Sequence, residues 1–133
     1  MFSVVLDTNV LISATLWDGS SAQKFLFKLI QSNIKIYSSP EIICEYYNVL
    51  TRDFDYTDDE LFYILEKVLS FVTLVTIKSE INLIKDDPDD NKIIECALVS
   101  SSEYIITYDK HLLKFNNYNN LKIIKPEDAT NLF

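Results

Sequence analysis

Asp7 and Asp109 each stand where an apolar run gives way to a helix start, and Asp90 lies in the first turn of a helix expected to begin near Asp87. Glu45 sits among Ile42, Ile43 and Val49 on a segment with helical spacing. Singly, each acid has an ordinary structural explanation: Asp7 and Asp109 as helix caps, Asp90 serving the dipole of its helix, Glu45 facing solvent. Together they pose a different problem. Carboxylates that converge on one end of a sheet repel one another and raise each other's pKa, unless divalent cations neutralise them. Hard oxygen ligands of this kind favour Mg²⁺ or Mn²⁺ over Zn²⁺, and the chemistry they support is hydrolysis of a phosphodiester by water.

Competing chemistries fail on particular residues. Asp87-Pro88-Asp89-Asp90-Asn91 begins like a calcium loop of the EF-hand type, but Lys92 stands where the turn needs Gly and Leu98 where the bidentate Glu belongs. One Gly in the whole chain excludes a phosphate-cradling P-loop. His111 is the single histidine, and no Ser or Cys pairs with it in a recognisable pattern, so it is expected on the surface of a short helix. An aspartyl-nucleophile phosphatase usually carries a second acid two residues after the first, where this chain has Asn9.

The elements that must position the acids follow from patterning. Residues 3–6 read as a buried strand ending at Asp7, and Val10, Leu11, Ala14 and Thr15 repeat at helical spacing over 8–16. Gly19 is the turn before a second amphipathic helix over 22–30. A strand over 34–37 precedes Ser39-Pro40-Glu41, where an N-cap, a first-position proline and a first-turn acid start a helix reaching about Arg52. Thr57 to Glu60 has capping-box spacing ahead of Leu61, Ile64, Leu65, Val68 and Leu69, and 72–77 is strand-like. Asp87-Pro88 opens a helix with Asp87 as its cap and Asp90 in its first turn. A strand over 104–107, a short helix over 109–113, a strand over 121–124 and a helical turn from Pro126 complete the chain. Such alternation predicts a mostly parallel sheet covered by helices.

With 133 residues, 48% of them hydrophobic, the chain suits one compact domain with its own core. The formal charge of −8 would ordinarily repel nucleic acid, but carboxylates gathered around cations attract phosphate instead. No apolar run approaches the roughly 18 residues a membrane span requires, and residues 1–6 lack the basic start of a signal peptide. A cytoplasmic protein is therefore expected, with Cys44 and Cys96 as buried thiols. Contacts to a phosphate backbone would draw on Lys24, Lys28, Lys35, Arg52, Lys92, Lys110 and Lys114, with Lys92 and Lys110 closest in sequence to the acids. Trp17, Tyr46 and Tyr47 are candidates for stacking on bases. Phe25, Leu26 and Leu29, with Leu61, Phe62, Leu65 and Leu69, serve either a large core or a seam for a homodimer or partner peptide.

At four places the residues resemble the PIN-domain family. Val4-Val5-Leu6-Asp7-Thr8-Asn9-Val10-Leu11-Ile12-Ser13-Ala14 looks like its first motif, and Ser38-Ser39-Pro40-Glu41-Ile42-Ile43-Cys44-Glu45 like its second. The third is matched by Asp87-Pro88-Asp89-Asp90-Asn91-Lys92-Ile93-Ile94-Glu95-Cys96-Ala97, the fourth by Tyr104-Ile105-Ile106-Thr107-Tyr108-Asp109-Lys110-His111-Leu112-Leu113. The branch most resembled is the VapC-like toxin component of toxin–antitoxin systems. This resemblance implies one PIN-like domain over residues 1–133, folded as a three-layer α/β/α sandwich with a mostly parallel central sheet. It implies a metal-dependent endoribonuclease using Asp7, Glu45, Asp90 and Asp109, with Mg²⁺ or Mn²⁺, an RNA substrate and a cognate antitoxin. Asp90 rather than Asp89 is chosen because it directly precedes Asn91-Lys92-Ile93-Ile94. The resemblance adds supporting polar roles for Asn9 and Thr107, and Tyr108 departs from the family's small or basic residue, which would narrow the mouth of the site. The alternative is a non-catalytic PIN-like module that binds protein or RNA; four intact acids argue against it, since repelling charges have no stabilising use.

Overall fold

The computed structural model describes residues 2–78 and 90–132. In chain order the elements are β1 (Ser3–Leu6), α1 (Thr8–Leu16), α2 (Ser21–Gln31), β2 (Lys35–Ser38), α3 (Pro40–Asp53), α4 (Asp58–Phe71) and β3 (Val72–Leu74). Then follow α5 (Asn91–Ser100), β4 (Tyr104–Ile106), α6 (Lys110–Leu113), β5 (Lys122–Ile124) and α7 (Pro126–Ala129). The strands form one sheet in the order β3-β2-β1-β4-β5. Every pairing is parallel, with Val4 opposite Ile36 and Tyr104, and Ile105 opposite Ile123.

Successive side chains of a strand point to opposite faces, yet Val4, Val5 and Leu6 are all buried, as are Ile105 and Ile106. Both faces of the central strands are therefore covered, which is the α/β/α sandwich expected of a parallel sheet. Helix α5 packs on β1, β2 and β4, whereas α2 packs on β2 and against α1 and α7. Phe25, Leu26 and Leu29 of α2 lie in the core, which settles their structural reading, while Phe62 and Leu69 of α4 are exposed.

Helix starts fall where the chain chemistry puts them. Ser39 Oγ accepts from the Ile42 amide at 3.2 Å, with Pro40 in the first turn of α3. Thr57 and Glu60 exchange both bonds of a capping box before α4. Gly19, at φ +77°, turns the chain between α1 and α2 in a left-handed conformation that most residues resist. One expectation changes. The strand predicted over 72–77 stops at Leu74, because its partner β2 ends at Ser38, directly opposite Leu74. Asp87 and Pro88 lie outside the described residues, and α5 is described from Asn91, with Asp90 at its N-cap position.

Candidate functional site

The strand order reverses at β1, which has β2 on one side and β4 on the other, so a crevice opens beyond their carboxyl ends. Asp7 follows β1 directly, and its amide donates to the Ile106 carbonyl at 3.0 Å, tying it to the end of β4. Its Oδ1 accepts from the Thr8 amide at 2.7 Å, which caps α1, and its Oδ2 accepts from the Thr107 hydroxyl, also at 2.7 Å. Thr107 Oγ1 in turn accepts from the Asp109 amide at 2.9 Å. One fully buried hydroxyl thus orients Asp7 and the turn that carries Asp109. Asp109 caps α6 by accepting from the His111 amide at 2.8 Å.

Glu45 approaches from the other wall. It lies on α3, where Glu45, Asn48, Val49 and Arg52 recur at helical spacing on one face. The Thr8 hydroxyl donates to Glu45 Oε2 at 3.0 Å, and Lys92 Nζ stands 3.4 Å from the same oxygen. Thr8 therefore holds two acids, one through its amide and one through its hydroxyl. Asp7, Glu45, Asp90 and Asp109 all line one cavity of about 300 Å³, together with Thr8, Asn9, Asn48, Val49 and Arg52.

Burial is the chief reason that the Asp7 carboxyl is pushed up from 3.8 to about 6; the nearby charges of Asp109 and Glu45 add to it, against the lowering effect of the Thr107 and Thr8 bonds. Of the cations nearby, Lys92 is spent on Glu45, and Arg52 forks onto Asp53 at 2.8 and 3.0 Å. A pocket of oxygen donors, with a carboxylate that ionises reluctantly because it is buried beside two other acids, fits a hard divalent cation.

A family model for the PIN domain matches residues 3–111. The chain belongs to the PIN-domain family. It is also 33% identical over 120 residues to an uncharacterized protein of Methanocaldococcus jannaschii, covering 87% of this chain and 76% of that one. Among solved structures it is similar to the crystal structure of VapBC2 from Rickettsia felis bound to a DNA fragment from their promoter. That match has a TM-score of 0.64 at 14% identity, over 93% of this chain and 98% of the other, and it bears on the fold.

Several expectations for this PIN domain are revised around the cavity. Tyr46 is wholly buried with its hydroxyl 2.6 Å from Thr15 Oγ1, so it cannot stack on a base, whereas Trp17 and Tyr47 remain exposed. Tyr108 bonds through its hydroxyl to Glu127 and is not among the residues lining the cavity. Lys110 is exposed and also outside that lining, and Lys28 is engaged with the Thr130 carbonyl. Cys44 is exposed, on the outward side of α3; Cys96 is buried, and burial pushes its thiol up to about 12. Asn48 was missed as a cavity residue and Arg52 was expected only as one of several available cations, although their spacing from Glu45, three and seven positions on, is the signal that finds them. His111 is half-buried rather than simply superficial, and one of its ring nitrogens lies with oxygens of Asp90 and Asp109 in a cluster whose atoms are all within 4.8 Å of one another.

Proposed function

We propose that this PIN-domain chain is an Mg²⁺- or Mn²⁺-dependent endoribonuclease and the toxin of a cytoplasmic toxin–antitoxin pair. The observation that carries the reading is the convergence of four carboxylates on one 300 Å³ cavity at the sheet's switch point. Asp7 and Asp90 would hold the ion, Asp109 would hold it or orient the attacking water, and Glu45 would bind a second ion or fix the first set. A bound ion would supply a water of lowered pKa and positive charge for the phosphate oxygens and the leaving alkoxide.

The chain's own side chains do the rest. Thr107 and Thr8 keep Asp7 aimed into the cavity, and Asn9, exposed at its edge, offers an amide to the substrate. Lys92, with Arg52 at the cavity wall and Lys110 outside it, contacts RNA phosphates. Lys92 exchanges Glu45 for phosphate when RNA enters, since that exchange trades one anion for another at the same ammonium. The similar VapBC2 structure supports a protein antitoxin as partner, and Phe62, Tyr63 and Leu69, exposed on α4, supply apolar surface for it or for a homodimer. No helix of the described residues is long and apolar enough to cross a membrane.

The test is cleavage of single-stranded RNA by untagged protein in Mg²⁺, Mn²⁺ or EDTA, alongside Asp7→Asn and Asp90→Asn. Cleavage by the wild type alone, and only with metal, is expected. Equal cleavage by either variant refutes the site, and cell growth unaffected by wild-type expression refutes the toxin role.

A further inference from the structure

An all-oxygen site is what the acids suggest, but the one histidine of the chain lies beside them. Its main chain is locked to the cluster, because Asp109 Oδ1 accepts the His111 amide at 2.8 Å. Its Nδ1 is 3.6 Å from that same oxygen, buried, and without a hydrogen-bond partner among the described residues. A ring nitrogen of His111, an oxygen of Asp90 and an oxygen of Asp109 are all within 4.8 Å of one another. Three donors on one ion at about 2.0–2.2 Å stand about 3–4 Å from one another, so closure around an ion needs shifts of up to about an ångström.

We infer that His111 is a metal ligand, a nitrogen donor that joins Asp90 and Asp109 on the ion and biases the site toward transition ions such as Mn²⁺ over Mg²⁺. Imidazole is a softer donor than carboxylate and is favoured by transition ions, whereas Mg²⁺ prefers oxygen and water. The inference rests on the metal-site reading above and adds to it the identity of one donor. It also gives the buried Nδ1 a use that no hydrogen bond among the described residues supplies.

The probe is Mn²⁺ bound to untagged protein, followed by pulsed EPR for directly coordinated ¹⁴N and by titration for affinity. Because His111 is the single histidine, any imidazole nitrogen signal can come from nowhere else in the chain. The wild type is expected to show one coupled nitrogen. His111→Gln is expected to lose it and to bind Mn²⁺ on the order of tenfold more weakly, while Mg²⁺ affinity, measured by competition, changes less than about twofold. Thermal unfolding in EDTA verifies that the variant is folded. Mn²⁺ bound at the acids with no nitrogen coupling overturns the His111 assignment and leaves the metal site standing. A coupling that survives in His111→Gln also overturns it. No Mn²⁺ binding at millimolar concentration, with Asp90→Asn indistinguishable from wild type, overturns the metal reading itself.

Discussion

Replacing Asp7 by Asn is expected to stabilise the ion-free protein at pH 8 while abolishing its stabilisation by divalent metal. The Asp7 carboxyl is raised from 3.8 to about 6 in the folded chain. The native state therefore holds this proton more tightly than the unfolded state does, so the contribution to stability is full below about pH 4, declines as pH rises through about 6, and is gone above it. At about 1.4 kcal/mol per pKa unit, ionising Asp7 in the folded protein costs about 3 kcal/mol. Asn cannot ionise, so the variant avoids that loss. It forfeits something too: Asp7 accepts from both Thr8 and Thr107, and an amide can accept through only one of its two atoms, a deficit of about 1 kcal/mol. The net gain is about 2 kcal/mol, or about 8 °C in Tm for a domain of this size. Differential scanning calorimetry of both proteins in EDTA at pH 4 and pH 8 measures it. The variant should melt above wild type at pH 8 and slightly below it at pH 4. A difference of the same sign and size at both pH values would show that Asp7 is not strained by its charge, and the electrostatic argument for a metal would fall with it.

Thr107→Val removes the buried hydroxyl that bridges Asp7 and the Asp109 amide; it is expected to lower stability by about 1–3 kcal/mol and to weaken Mn²⁺ binding 10- to 100-fold, both measurable by calorimetry. Metal affinity should fall as pH drops below about 6, since the ion competes with a proton for Asp7, and titration at pH 5, 6 and 7.5 tests this. Lys92→Gln breaks a partly buried pair with Glu45 and should lower stability by no more than about 1 kcal/mol; RNA affinity should drop, with the slope against salt reduced by about 1. Ser39→Ala should cost about 1 kcal/mol through the lost cap of α3, read from urea unfolding.

Local chemistry was the most legible part of this chain. Ser39-Pro40 and the Thr57–Glu60 box announce their helices because a cap is made within four residues. Asp7 and Asp109 were legible for the same reason, each standing between a strand and a helix, whereas Glu45 showed only as an acid among the apolar positions of a helix. Pairing order was not, because which strand lies beside β1 depends on contacts a hundred residues apart, such as the Asp7 amide with Ile106. Asn48 and Arg52 were legible by spacing, yet a polar residue on a helix says nothing by itself about whether it faces solvent or a cavity. His111 escaped because its nearness to Asp90 is made by the meeting of α5 and α6 and not by sequence.

The two walls of the cavity differ in what would move them. Asp7 and Asp109 are pinned to strand ends and to each other through Thr107, so they shift only if the sheet does. Glu45, Asn48 and Arg52 ride together on α3, a single rod of 14 residues, bonded across to Thr8 and Lys92 at its inner face. A slide of that rod along its axis by one residue's rise, about 1.5 Å, would carry all three out of register with the fixed acids at once. A partner that grips the outer side of α3 could switch the cavity off without entering it.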